Sequence, residues 1–164
     1  MRARLDITKA APDAYRAVAA LDRFVVKESG LEARYIHLIK LLASHLNGCA
    51  YCVDMHIREA RHTGLSDQWI NLVNVWRESP VYSDAERAVL GWTDALTRLA
   101  DTRAPDEAFE PLKAHFTDEQ IANITVAIST INVWNRVTVG LRTLHAVAAE
   151  TAAAGSARVN AASP

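Results

Sequence analysis

The chain of 164 residues has no long hydrophobic run, no block of one charge sign and only two cysteines. No stretch approaches the roughly 18–20 consecutive apolar residues of a membrane-spanning helix, so no membrane partner is expected. Net charge is −1 with both signs interspersed, which leaves no basic footprint for nucleic acid. The opening residues Met1-Arg2-Ala3-Arg4-Leu5-Asp6 lead into no apolar core of an export signal, so a reducing, cytoplasmic setting is expected and a permanent structural disulfide is not. Alternating apolar and polar runs are missing, and with them any sign of a strand; internal repeats are missing too. An iron–sulfur cluster normally takes four cysteines, more than this chain has. Covalent haem needs histidine directly after the second cysteine, where Val53 stands. The tripeptide Asn123-Ile124-Thr125 matches a glycosylation sequon but carries no weight in a cytosolic chain.

What is present is helical. Half of the residues are hydrophobic, enough for a real core in one domain. Their spacing predicts an all-α bundle of about six to seven helices. That domain is expected over residues 1–150, with residues 151–164, rich in Ala, Gly and Ser, as a flexible tail. Pro12 opens a helix that stops at Gly30. A second helix carries the stripe Leu31, Tyr35, Leu38, Leu42 and His45, with His37 at its margin, and breaks at Asn47-Gly48. A third runs from Cys49 to Thr63-Gly64. Ser66 caps a short helix carrying Trp69, Leu72, Val73 and Trp76. Ser83-Asp84-Ala85-Glu86 and Thr117-Asp118-Glu119-Gln120 read as capping boxes. The first opens a helix to about Asp101, and Pro105 starts another short one. The second opens a long helix that continues with some break to about Ala149. Asn132, Asn135 and Arg136 on that helix are polar among apolar neighbours, so they should hydrogen-bond the motif helix or line a subunit contact. The four tryptophans read as core or interface rather than as a substrate box.

Both cysteines lie in Asn47-Gly48-Cys49-Ala50-Tyr51-Cys52-Val53-Asp54-Met55-His56. On a helix Cys49, Cys52, His56 and Ala60 share one face. The cysteines fall in the first turn, where free N–H groups and the positive dipole end stabilise a thiolate. With His56 one turn beyond on the same face, Cys52 is expected to be the more acidic thiol. The thiolate is the nucleophile, so the arrangement favours attack on a peroxide or a disulfide. Two buried core cysteines are the bland alternative. Zinc is another, although one helical stripe rarely completes a tetrahedron. Redox chemistry is preferred to both, with no cofactor and no metal. A thioredoxin-type domain carries C-x-x-C after a strand, and here both flanks are helical.

The chain resembles the alkylhydroperoxidase D family, within the carboxymuconolactone decarboxylase-like superfamily. The resemblance rests on Ser44-His45-Leu46-Asn47-Gly48-Cys49-Ala50-Tyr51-Cys52 with His56 and Ala60. It continues in Trp76-Arg77-Glu78-Ser79-Pro80, in Glu86-Arg87-Ala88-Val89-Leu90 and in Ile131-Asn132-Val133-Trp134-Asn135-Arg136, covering about Leu31 to Leu144. It implies an all-α fold that assembles as a homo-trimer or hexamer. It also implies reduction of a hydroperoxide substrate by the cysteine pair, recycled by an external dithiol of lipoamide or thioredoxin-like type. On this resemblance Cys52 is peroxidatic, Cys49 resolving, and His56 part of a proton relay. Two positions depart. The family's relay glutamate, twelve residues before the first cysteine, is His37 here. The histidine that founding members carry just before the second cysteine is Tyr51. His37 is therefore the candidate replacement for the glutamate as proton acceptor near Cys52, while Glu86 is explained by its capping box. An oligomer is also expected because Trp69, Trp76, Trp92, Trp134, Tyr35 and Tyr82 are many aromatics for a small monomer to bury. Two other functions fit the same residues: an oligomeric redox sensor or binding module, and a decarboxylase-like enzyme that does not use the cysteines.

Overall fold

The computed structural model describes residues 1–147, and the tail expected over residues 151–164 lies outside them. Among the described residues every regular element is helical. A short α1 (Ile7–Ala10) is capped by the Asp6 carboxylate, and α2 (Pro12–Lys27) starts on its proline. The central helix α3 (Ala33–Leu46) is followed by the motif helix α4 (Ala50–His62). Ser66 caps α5 (Asp67–Asn71), and a tight helical turn over Val73–Glu78 completes that arm. The expected single short helix is thus two pieces, separated at Leu72.

The capping box at Ser83 opens α6 (Asp84–Thr97). Its expected continuation to Asp101 is a separate turn, α7 (Leu99–Thr102), because Arg98 leaves helical geometry. Pro105 caps α8 (Asp106–Phe109), and the box at Thr117 opens α9 (Asp118–Leu141). The expected extension of α9 toward Ala149 is corrected. The helix runs without a break to Leu141 and stops where Arg142 adopts φ 56°. The Thr143 N–H then closes on the Thr138 carbonyl at 2.9 Å, a left-handed terminus that satisfies a last-turn carbonyl.

The centre of the molecule is α3, which packs against α4, α6 and α9. A single apolar stripe was expected on it, yet Ile36 through Ser44 are all buried. Helical spacing splits this run between two cores. Ile36, Ile39 and Ala43 join the cluster with α6 and α9, while Leu38, Leu41 and Leu42 join the cluster with Ala60, Trp69, Val73 and Trp76. A helix enclosed on most sides has no solvent face to make a stripe visible. Trp69, Trp76, Trp92 and Tyr82 are all buried within the one chain. Most of the aromatic surplus is therefore absorbed by the chain's own core, while Tyr35 and Trp134 stay half-buried, so the aromatics by themselves do not carry the oligomer expectation. No described helix is long and apolar enough to cross a membrane.

Candidate active site

The motif is built on a sharp reversal. Asn47 ends α3, Gly48 takes φ +65° and α4 begins two residues later. A Cβ at Gly48 would meet nothing within 4 Å, so glycine is required there by the left-handed backbone and not by crowding. The reversal is pinned from α9. The Asn47 amide donates to Asn132 Oδ1 and Asn135 Oδ1, both at 2.9 Å, and the Asn135 amide donates to Ser44 Oγ at 3.1 Å. Arg136 in turn donates to Asn132 Oδ1 at 2.9 Å. The polar patch on α9 thus bonds the turn ahead of the motif helix rather than the motif helix itself.

Cys49 is the N-cap of α4, and its Sγ accepts from the Cys52 N–H at 3.3 Å. The two cysteines are joined as a disulfide and both are almost completely buried. Thr138, 89 residues along the chain from Cys49, sets its hydroxyl 2.9 Å from Cys49 Sγ. The same oxygen lies 3.3 Å from Cys52 Sγ.

His56 is buried at 2 % exposure, and its Nδ1 lies 2.7 Å from Glu59 Oε2. The carboxyl of Glu59 is held below its ordinary range, first by this bond and then by the nearby charges of His56, Lys40 and His37, with burial opposing. An ionised carboxylate only accepts, so Nδ1 donates to it, and in the neutral ring this tautomer leaves the lone pair on Nε2. That Nε2 is buried with no hydrogen-bond partner among the described residues. Two of the other buried atoms in that condition are Asp22 Oδ1 and Asp94 Oδ1. They lie within 2.9 Å of Lys40 Nζ and 3.2 Å of Arg98 Nε, inside ion pairs. His37 Nδ1 is the fourth.

A cavity of about 720 Å³ opens onto these groups. Cys52, His56, Glu59 and Thr138 line it together with Lys40, Asp22, Tyr51, Met55 and Trp134, and the N-terminal segment around Leu5 and Ile7 forms part of its wall. Cys49 is not in the wall. Trp134, read from sequence as core or interface, thus borders the cavity. Lys40 is buried and paired with Asp22 at 2.9 Å.

Three of the expected site residues, Cys49, Cys52 and His56, come together as the helical spacing requires. His37 is placed differently. It is buried, with Nε2 3.2 Å from Thr63 Oγ1 at the far end of α4, and it does not line the cavity. Burial holds its imidazole below the ordinary value, with His56 and Lys40 acting in the same direction and Glu59 against them. Glu59 was missed, although its sequence signal was available: three residues after His56 it occupies the same helical face. Thr138 and Lys40 had no such local signal. Glu86 is explained by its surroundings. Burial would raise its carboxyl, but the Ser83 N–H, the Trp69 indole, the Ser83 hydroxyl and Arg34 together hold it below the ordinary range. Among the described residues, no group of three or more His, Cys, Asp or Glu side chains is arranged to hold a metal ion.

Comparison with known proteins places this architecture. The model of the carboxymuconolactone decarboxylase family matches residues 12–95. The uncharacterized protein YdfG of Bacillus subtilis (strain 168) is 31% identical over 141 residues, which cover 86% of this chain and 95% of that one. A crystal structure from Agrobacterium tumefaciens is 61% identical with a TM-score of 0.87, covering 90% of this chain and all of that one. It is described as a protein of unknown function and assigned provisionally to antioxidant defence as an AhpD. An uncharacterized peroxidase-related protein from Ralstonia eutropha JMP134, described as an alkylhydroperoxidase AhpD core, is 25% identical with a TM-score of 0.72, over 82% of this chain and 72% of that one.

Proposed function

The chain belongs to the carboxymuconolactone decarboxylase family, in its AhpD-like branch, and from that premise we propose that it is a thiol-dependent peroxidase acting through Cys52 and Cys49. The observation that carries this reading is the cavity wall. Cys52 lines the same cavity as His56, a buried imidazole whose Nε2 has no partner among the described residues and whose Nδ1 is fixed by Glu59. The peroxidase-related solved relatives support it.

In the reduced protein His56 Nε2 takes the Cys52 proton, and the imidazolium is stabilised by Glu59. The Cys52 thiolate attacks one peroxide oxygen and the O–O bond breaks. The departing alkoxide leaves as the alcohol with the proton held on His56. Cys52 is then a sulfenic acid, and the Cys49 thiol condenses with it, releasing water and forming the disulfide. An external dithiol returns both cysteines to thiols and becomes a disulfide itself. A hydroperoxide plus one dithiol thus gives an alcohol, water and one disulfide. Glu59 takes the carboxylate role of the family's relay glutamate, displaced from the position His37 occupies to the motif helix. The resemblance alone supports assembly as a homo-trimer or hexamer. The need for a dithiol pool fits a cytoplasmic setting.

The test is peroxide consumption with a dithiol reductant. Wild type is expected to turn over repeatedly, Cys49→Ser to turn over more slowly through direct reduction of its Cys52 sulfenic acid by the dithiol, and Cys52→Ser to be inactive. Equal consumption by wild type and Cys52→Ser overturns the reading. Peroxide-driven disulfide formation without turnover would make the chain a redox sensor.

A further inference from the structure

Thr138 has no place in the cycle just described, yet its hydroxyl is in contact with both sulfurs. Its oxygen lies 2.9 Å from Cys49 and 3.3 Å from Cys52, and the residue is more than nine-tenths buried. A hydroxyl carries one hydrogen. In the oxidised protein that hydrogen is directed to the backbone, to the Trp134 carbonyl at 2.8 Å or the Asn135 carbonyl at 3.2 Å, because a disulfide sulfur is a weak acceptor. Those carbonyls lie inside α9 and already accept helical N–H groups, so the extra bond is dispensable. A thiolate is a far better acceptor, since charge-assisted hydrogen bonds are about twice as strong as neutral ones.

The two sulfurs are not equivalent in this setting. Cys49 is the nearer to the hydroxyl, it accepts the Cys52 N–H at 3.3 Å, and it caps the positive end of a 13-residue helix. Cys49 is also absent from the cavity wall, whereas Cys52 lines it. An incoming reductant therefore reaches Cys52, and the sulfur that departs is the one with fixed donors waiting.

We infer that Thr138 is a redox-coupled hydrogen-bond donor that stabilises Cys49 as the leaving thiolate and so directs the dithiol reductant to Cys52. The inference rests on the Cys49–Cys52 redox cycle proposed above and adds the route of its reductive half. One thiolate of the reductant attacks Cys52 Sγ. The Cys49–Cys52 bond breaks and its electron pair goes to Cys49 Sγ, while the Thr138 hydrogen turns from the backbone carbonyl to that sulfur. The second reductant thiol then displaces Cys52 from the mixed disulfide. The reductant leaves as a cyclic disulfide, having given two electrons and two protons to the two cysteines. In this division Cys52 is served by a transferable proton on His56, and Cys49 by donors that keep their hydrogens.

The test needs no peroxide. The disulfide is formed with a diazene oxidant, and reduction by dithiothreitol is followed in wild type, Thr138→Val and Thr138→Ser. Valine keeps the shape and loses the donor, and serine keeps the donor. Thr138→Val is expected to be reduced about tenfold more slowly, with Thr138→Ser close to wild type. In a Cys52→Ala background, ultraviolet thiolate absorbance against pH should show Cys49 titrating about one pH unit higher when Thr138 is valine, and not when it is serine. A monothiol adduct trapped on the oxidised wild type should map to Cys52. An unchanged Cys49 titration in Thr138→Val, or an adduct on Cys49, overturns the inference. Loss of peroxide turnover with these three results intact removes the peroxidase reading and leaves the Thr138 assignment standing. Intact turnover with an unchanged titration does the reverse.

Discussion

Two hollows of similar size border this helical bundle, and their chemistry differs. The cavity at Cys52 measures about 720 Å³ and the groove along α6 about 820 Å³. The groove is rich in charge, but its arginines and Asp94 are committed. Asp94 holds Arg77 at 2.7 Å and Arg98 at 3.2 Å. Arg87 donates to the carbonyls of Trp76, Arg77 and Ser79 within 3.0 Å, and Arg77 stacks 4.4 Å over the Trp76 ring. These contacts tie the Val73–Glu78 arm to α6. In the wall of the cavity, by contrast, which His56 shares with Cys52, His56 Nε2 is buried without a partner among the described residues. Volume does not distinguish the two; hydrogen-bonding capacity left free does. A buried polar atom without a partner costs about 1–3 kcal/mol; His37 Nδ1 carries the same cost away from the cavity, so it is the free atom together with a place in the cavity wall that sets His56 apart.

The sharpest way to break this contrast is to remove the free nitrogen. His56→Asn is expected to lower peroxide turnover by about 10²–10⁴-fold, measured as kcat/KM, with the Cys49–Cys52 disulfide still forming slowly. Turnover within threefold of wild type would mean that the unpaired atom has no role. The next effect comes from its fixing partner. Glu59→Gln still accepts the Nδ1–H but loses the charge, so a fall of about ten- to a hundredfold is expected, together with a shifted pH profile. An unchanged profile would return the relay to another residue.

His37 gives a smaller effect on activity and a distinct one on stability. His37→Gln should change turnover by less than about threefold, because the residue reaches Thr63 and not the cavity; a tenfold fall would restore it as the relay acceptor. Burial holds the folded His37 below its ordinary value. The unfolded chain therefore takes up a proton first as the pH falls. The stability of the neutral form is complete above about pH 6.5 and is lost as the pH drops through the folded value. Thermal midpoints from neutral to mildly acid pH should accordingly fall less steeply in His37→Gln than in wild type. His45, depressed by burial in the same direction, keeps the slope from vanishing. Smallest of all is the groove. Arg98→Ala should leave turnover within twofold, since it removes one of the two arginines on Asp94, and a large loss there would erase the distinction between the hollows.

Much of the fold was legible because its signals are local. Pro12, Ser66, Ser83 and Thr117 all start helices as the sequence indicated, since a cap is satisfied by backbone groups within three residues. The ends were less legible. Arg142 stops α9 in a left-handed conformation that sequence assigns to glycine or asparagine. The double burial of α3 was hidden because an apolar run enclosed on several sides carries no amphipathic period.

The site divides in the same way. The sequence by itself determined that Cys49, Cys52 and His56 share a face at a helix start, and it contained Glu59 as well, because positions three and four apart are neighbours on any α-helix. Only the tertiary structure decided what meets that face. Thr138 reaches the sulfurs across 89 residues, Asn135 reaches Asn47 across 88, and Lys40 finds Asp22 in another helix. These pairs have no spacing rule, since they exist only once α9 and α2 pack around the centre of the bundle. The same packing buried His37 against Thr63 and left it out of the cavity wall, which a count of residues to the cysteine does not contain.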